Sequence, residues 1–170
     1  MSLTILTVGK KHEAWVKDGI ERYQSRLRVP YDVKWELVPH SSLSDAAARQ
    51  EESKAILKRI GGGFTILLDE VGKNIDSPTF STILSHAMGI EDRSADLKSA
   101  GLSSVVNRPN GDVTVIIGGA YGVDGSVHER ADFIWSLSKL VFPHQLVRLI
   151  LLEQIYRAQQ ISAGSGYHHF

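Results

Sequence analysis

Four stretches of this chain carry residue types and spacings suited to chemistry. The run IIGGAYGVDG (116–125) sets Gly118 and Gly119 after an apolar, β-branched segment, with Gly122 and Gly125 following. Glycines at a strand's carboxyl end let the backbone approach a ligand closely, and open α/β sheets bind ligands at that edge. The G-G-x-x-G spacing is not a dinucleotide fingerprint, and no G-K-[ST] follows to make a P-loop. The plain alternative is a glycine-rich turn. LLDEVGKN (67–74) ends another apolar run in Asp69 and Glu70. Carboxylates there suit a ribose or a metal, although such residues more often only end a strand or cap a helix.

The third stretch is SLSKLVFPHQLVRLILLEQIYRAQQI (136–161). Pro143 marks a helix start. At about 100° per residue, the apolar side chains from Leu146 to Ile161 surround the helix axis, and a helix apolar all round is buried. In a chain this small a homodimer interface covers it most simply. His144, Arg148, Glu153, Gln154 and Arg157 are set into that apolar helix. Glu153 and Arg157 are four apart and can pair, whereas a buried Arg148 needs an anion or carbonyls. The fourth stretch is the tail GSGYHHF (164–170), which reads as a segment that closes over a site. Adjacent histidines do not easily share a metal, and no H-x-x-x-H or H-E-x-x-H spacing exists, so no metal site is expected.

The elements that must position these residues alternate along the chain. Strands are expected at 2–8, 33–38, 64–68, 113–117 and 133–137, from short β-branched apolar runs. Helices are expected between them. Val16, Ile20, Tyr23 and Leu27 form one apolar stripe over 12–27. Segment 44–60 opens on Ser44 as N-cap and stops at Gly61–Gly63. Segment 77–88 opens on Ser77 as cap with Pro78 as its first helical residue. A short helix spans about 124–132 and a long one about 144–161. Such alternation defines an α/β domain with a largely parallel sheet. The polar, Ser-rich segment 89–112 reads as a long surface loop or short helical insertion.

The 170 residues fit one domain. An apolar content of 42% with 22% charged residues excludes a disordered chain. The absence of cysteine excludes disulfides, a thiolate nucleophile and Cys-ligated metal, and fits a cytoplasmic address. The N-terminal apolar run is a strand rather than a signal peptide. No stretch approaches the roughly 20 apolar residues of a membrane span. Nineteen basic and nineteen acidic residues cancel, which argues mildly against a free-standing nucleic-acid binder.

Taken in order, TVGK (7–10), LLDEVGK (67–73), IIGGAYG (116–122), the 136–161 stretch and the terminal YHH (167–169) resemble the ribosomal large-subunit pseudouridine methyltransferases of the SPOUT (α/β-knot) class. The resemblance covers essentially the whole chain, and F-P-H-Q-L-x-R through E-Q-x-Y-R-A is its specific part. It implies a single α/β domain with a C-terminal trefoil knot, a homodimer, S-adenosylmethionine as methyl donor and N3 of a pseudouridine in 23S rRNA, within the ribosome, as acceptor. Against that family, 89–112 reads as a polar insertion.

The resemblance implies a donor site made by Leu68, Gly118 and the loop Leu137, Ser138, Lys139, Leu140, Val141 and Phe142 around the adenine. At Gly118 a side chain would collide with the ligand. The imide N–H of the acceptor is weakly acidic, so a base or a stabilising cation helps it react. His144, Arg148 and His168 are the candidates, the last coming from the tail of the same or a partner subunit. Docking on an assembled ribosome by shape needs little basic surface, which reconciles the neutral charge. Two rival readings remain: a non-enzymatic ribosome- or RNA-binding protein of the same fold, and a SPOUT enzyme acting on another RNA.

Overall fold

The computed structural model describes residues 1–108 and 111–169. Pro109 and Asn110 of the 89–112 segment, and Phe170 of the tail, lie outside the described residues. The strands are β1 (Leu3–Val8), β2 (Val33–Val38), β3 (Phe64–Asn74), β4 (Val113–Ile117) and β5 (Phe133–Ser136). The helices are α1 (Ala14–Gln24), α2 (Asp45–Leu57), α3 (Ser77–Ala87), α4 (Ser94–Ser99), α5 (Ser103–Val106), α6 (Gly125–Arg130) and α7 (His144–Ser162).

The strands form one parallel sheet in the order β2-β1-β4-β3-β5. The period-two alternation of strand side chains divides the core in two. Leu3, Ile5, Phe64, Ile66, Val113, Val115, Ile117, Phe133 and Trp135 face α1, α3 and α7. Leu6, Val8, Val38, Leu67 and Ile116 face α2 and α6. Covering on both faces is why β3 and β4 open as almost wholly apolar runs, each with a single threonine. The central β4 is laid down late, between β1 and β3. The carboxyl ends of β4, β3 and β5 therefore stand side by side, where open α/β sheets hold ligands.

Several local expectations need correction. β3 runs six residues beyond the apolar 64–68 core and re-pairs with β5 after a register break between Leu68 and Lys73. The cap of α3 is Asp76, whose side chain accepts from the Thr79 N–H at 2.9 Å, so Ser77 and Pro78 are its first and second residues. Ser44 is the N-cap residue of α2 as expected, but makes no side-chain capping bond, and Pro143 stands immediately before α7 as expected. Of the two readings of 89–112, the short helical insertion holds: the segment carries α4 and α5, and it buries Leu97, Leu102 and Val105 in the α3 side of the core. Its polar residues are the solvated faces of these two turns.

Within one chain, α7 buries Arg148, Leu151, Leu152, Ile155 and Ala158. Leu146, Ile150 and Ile161 are only half-buried. The tail folds back on this helix. Tyr167 Oη donates to Glu153 at 3.1 Å, the Tyr167 ring meets Tyr156 edge-on at 5.1 Å, and Arg157 pairs with Glu153 at 2.6 Å.

Candidate active site

At the carboxyl edge of the sheet a cavity of about 440 Å³ opens. Three pieces of chain wall it. β3 contributes Leu68, Asp69 and Glu70 at its register break, where the strand leaves the regular ladder and turns its groups toward the edge. The turn after β4 contributes Gly118 to Val123. The loop after β5 contributes Leu137, Ser138, Leu140, Val141 and Phe142, followed by His144 and Val147 from the start of α7. Ser138 ties that loop together, its hydroxyl accepting from the Leu140 N–H and its carbonyl accepting from the Ser136 hydroxyl, both at 3.0 Å. Leu140 and Val141 remain strongly exposed, at 72% and 84%, an unusual position for aliphatic side chains at the mouth of a cavity.

Seven of the eight residues expected to hold a cofactor therefore line one cavity. Lys139 does not: its side chain is exposed outside the wall. Gly118 is also confined by its own turn. A Cβ there would meet Val123 Cγ1 at 3.1 Å and the Gly122 carbonyl carbon at 3.3 Å, so the folding of the turn itself keeps the position small. At Gly119 the occupant of the side-chain space is the carboxylate of Glu52 on α2.

The three candidate catalytic residues occupy different places. His144 lines the cavity. Burial, and then the neighbouring Arg148 and His40, push its pKa below the ordinary 6.5, against a weaker opposing pull from Glu52. Its imidazole is therefore neutral at pH 7 and able to accept a proton. Arg148 is 1% exposed and lies outside the cavity wall. It donates from Nη2 to the Val8 carbonyl and from Nη1 to the Lys11 carbonyl, each at 3.0 Å. Of the two partners that its burial required, the structure supplies carbonyls. His168 lines an adjoining depression with Asp76, Ser77 and Gln154, and its Nδ1 accepts from Arg157 at 3.2 Å. Trp135 and Leu137 form the wall between the two spaces.

Sequence reasoning missed three residues around the cavity. Trp135 is an inward residue of β5, stacked on Phe80 at 4.2 Å. His128 sits 3.0 Å from Asp69 through Nε2 and 2.9 Å from the Asp124 carbonyl through Nδ1, fastening α6 to β3. Glu52 is a carboxylate on the buried stripe of α2, between Ala48 and Ile56. Its helical spacing from those two residues was the one available signal. Among the described residues no cluster of His, Cys, Asp or Glu has the makings of a metal site, and no helix is long and apolar enough to cross a membrane.

A parallel α/β sheet with a cavity built from the turns after its adjoining strands places this chain among the α/β proteins that carry their site at the sheet's carboxyl edge. The family model described as "Predicted SPOUT methyltransferase" matches residues 1–93 and 85–168, and the chain belongs to that methyltransferase family. Its relatives include proteins named "Ribosomal RNA large subunit methyltransferase H". One, from Desulfitobacterium hafniense (strain Y51), is 39% identical over 176 residues, covering 99% of both chains. Another, from Dictyoglomus thermophilum, is 35% identical over 171 residues, covering 99% of this chain and 100% of the relative. A third of the same name, from Carboxydothermus hydrogenoformans, is 39% identical over 178 residues, covering 99% of both.

Proposed function

We propose that the protein transfers a methyl group from S-adenosylmethionine to N3 of a pseudouridine in 23S rRNA, acting on the ribosome as a cytoplasmic homodimer. The trefoil knot implied by the sequence resemblance is part of this reading, as is its single-domain organisation. The observation that carries it is the convergence of Leu68, Gly118 and the 137–142 loop on one cavity, in a chain whose relatives are named as large-subunit rRNA methyltransferases.

The cavity suits the donor. Leu68, Leu137 and Val147 offer apolar walls for an adenine, and the loop after β5 offers backbone groups to its edge. When bound, the donor supplies an electrophilic methyl group on a sulfonium. The 137–142 loop holds the adenine, and the Gly118–Gly122 turn lets the backbone lie against the ligand. His144, neutral at pH 7, takes the N3 proton of the acceptor base as the new N–C bond forms and the sulfur–carbon bond breaks. Arg148 is a positioning residue, fastening α7 to the end of β1 beside His144. His168 and the tail border the acceptor side, with Leu146, Ile150 and Ile161 of α7 covered by a second copy. Lys139, exposed at the rim, meets RNA phosphate rather than adenine.

The test is transfer of labelled methyl from S-adenosylmethionine to ribosomes lacking the modification, alongside naked rRNA and tRNA. Label on the large-subunit rRNA of the ribosome alone is the expected result. Label on tRNA, or on no RNA, would overturn the reading.

A further inference from the structure

Glu52, which also acts weakly on His144, presents a feature that packing does not explain. Its side chain is 5% exposed, and its Oε2 has no hydrogen-bond partner among the described residues. Oε1 accepts from the Ser41 N–H at 3.0 Å and lies 3.9 Å from Nδ1 of His40, whose side chain is largely in water. Oε2 fills the space a side chain would take on Gly119, directly behind the cavity wall. Burying a carboxylate without a matching cation is costly. The bond from Ser41 does not account for the charge, because a glutamine amide would accept it equally well.

Two other carboxylates, Asp69 and Glu70, line the cavity directly. Asp69 is paired with His128 at 3.0 Å. Glu70 is exposed and screened by solvent. Glu52 is the most buried of the three, with His40 at 3.9 Å and the buried Arg148 acting with it on His144. A charge held on the Gly119 side of the cavity stands within roughly a nanometre of the carboxylate, where a buried pair still interacts appreciably.

We propose that Glu52 is a specificity-determining residue of the donor site: its carboxylate, set behind Gly119, makes the cavity favour a cationic sulfonium donor over the neutral thioether product. The inference rests on the donor reading given above and adds to it a basis for product release. Methyl transfer discharges the sulfonium, so the attraction that held the donor vanishes with the reaction.

The test compares three ligands by isothermal titration: S-adenosylmethionine, S-adenosylhomocysteine, and sinefungin, which carries an ammonium group in place of the sulfonium. In Glu52→Gln both cationic ligands are expected to weaken about tenfold, while the neutral product changes by less than about twofold. Equal weakening of all three ligands, or no change in any, would overturn the inference and leave the donor reading standing. Should Glu52→Gln fail to give a folded protein by circular dichroism, the natural protein carries the test. Both cationic ligands are then expected to bind more tightly than S-adenosylhomocysteine, and product binding as tight as either overturns the inference. If none of the three binds the natural protein, the donor reading itself falls, and this inference with it.

Discussion

Arg148 on α7 spans to the end of β1, where its Nη2 donates to the Val8 carbonyl at 3.0 Å. With the second bond to Lys11, this fastens the first turns of α7 to the carboxyl edge of the sheet. Arg148→Ala would leave two carbonyls unpaired and is expected to cost about 2–4 kcal/mol of unfolding free energy. Arg148→Lys, which lacks the planar fork, should recover only part of that loss. Urea unfolding measures both. A variant as stable as the natural protein but inactive would instead place Arg148 in the chemistry.

His144 titrates below its ordinary 6.5 in the folded protein because of burial and the adjoining Arg148 and His40. His12 is shifted the same way, by burial and then Arg148. The unfolded chain therefore binds these protons more readily. Stability is complete above about pH 6.5 and is lost as pH falls from there through the lowered folded values. Thermal melts from pH 7.5 to pH 5 should show a falling Tm, with a shallower fall in His144→Gln. The turnover of bound substrate should likewise drop only on the acid side, below pH 6.5. His144→Gln should lower it by about 10²–10⁴-fold. A rate profile that keeps its acid limb in His144→Gln would assign the base elsewhere.

The tail is held by Tyr167, whose hydroxyl donates to Glu153. Burial and the Glu153 carboxylate push the Tyr167 pKa up to about 12, so the donor proton stays in place at every physiological pH. Tyr167→Phe should cost about 1 kcal/mol and speed amide exchange in 164–169. It should leave S-adenosylmethionine affinity unchanged, since Tyr167 does not line the donor cavity. Unchanged exchange in the tail would show that the edge-on contact with Tyr156 holds it without the hydroxyl.

The formal net charge of zero sets an expectation for RNA. Affinity for a bare rRNA hairpin should be weak, with a shallow dependence on salt, because few phosphates are neutralised. Filter binding between 50 and 200 mM salt measures this. Tight binding with a steep slope would show a basic face concentrated on one side of the protein or assembled by a second copy.

The sheet was legible in the sequence because its strands are buried on both faces and so read as short apolar, β-branched runs. The 137–142 loop and Gly118 were legible through the family resemblance rather than through periodicity. Less was legible where the deciding partner is distant. Asp76 and Ser77 are both good caps, and only the bond to Thr79 selects Asp76. Asp76→Ala should therefore cost about 1 kcal/mol in thermal or urea unfolding. The extension of β3 to Asn74 depends on re-pairing with Trp135 and Ser136, which no local pattern shows. Segment 89–112 could be read only as a surface loop or a short helical insertion because Leu97, Leu102 and Val105 are spread thinly among polar residues, although all three are buried. Glu52 was passed over because its role depends on Gly119, far away in sequence.

The most direct measurement is nucleoside mass spectrometry of large-subunit rRNA. Ribosomes lacking the modification would be incubated with the protein and S-adenosylmethionine. The account requires one new methylated pseudouridine per large subunit, carrying the methyl at N3, with no such product from the protein alone or the donor alone. Methylation at another base or at a ribose hydroxyl would contradict it, as would binding to ribosomes without methyl transfer.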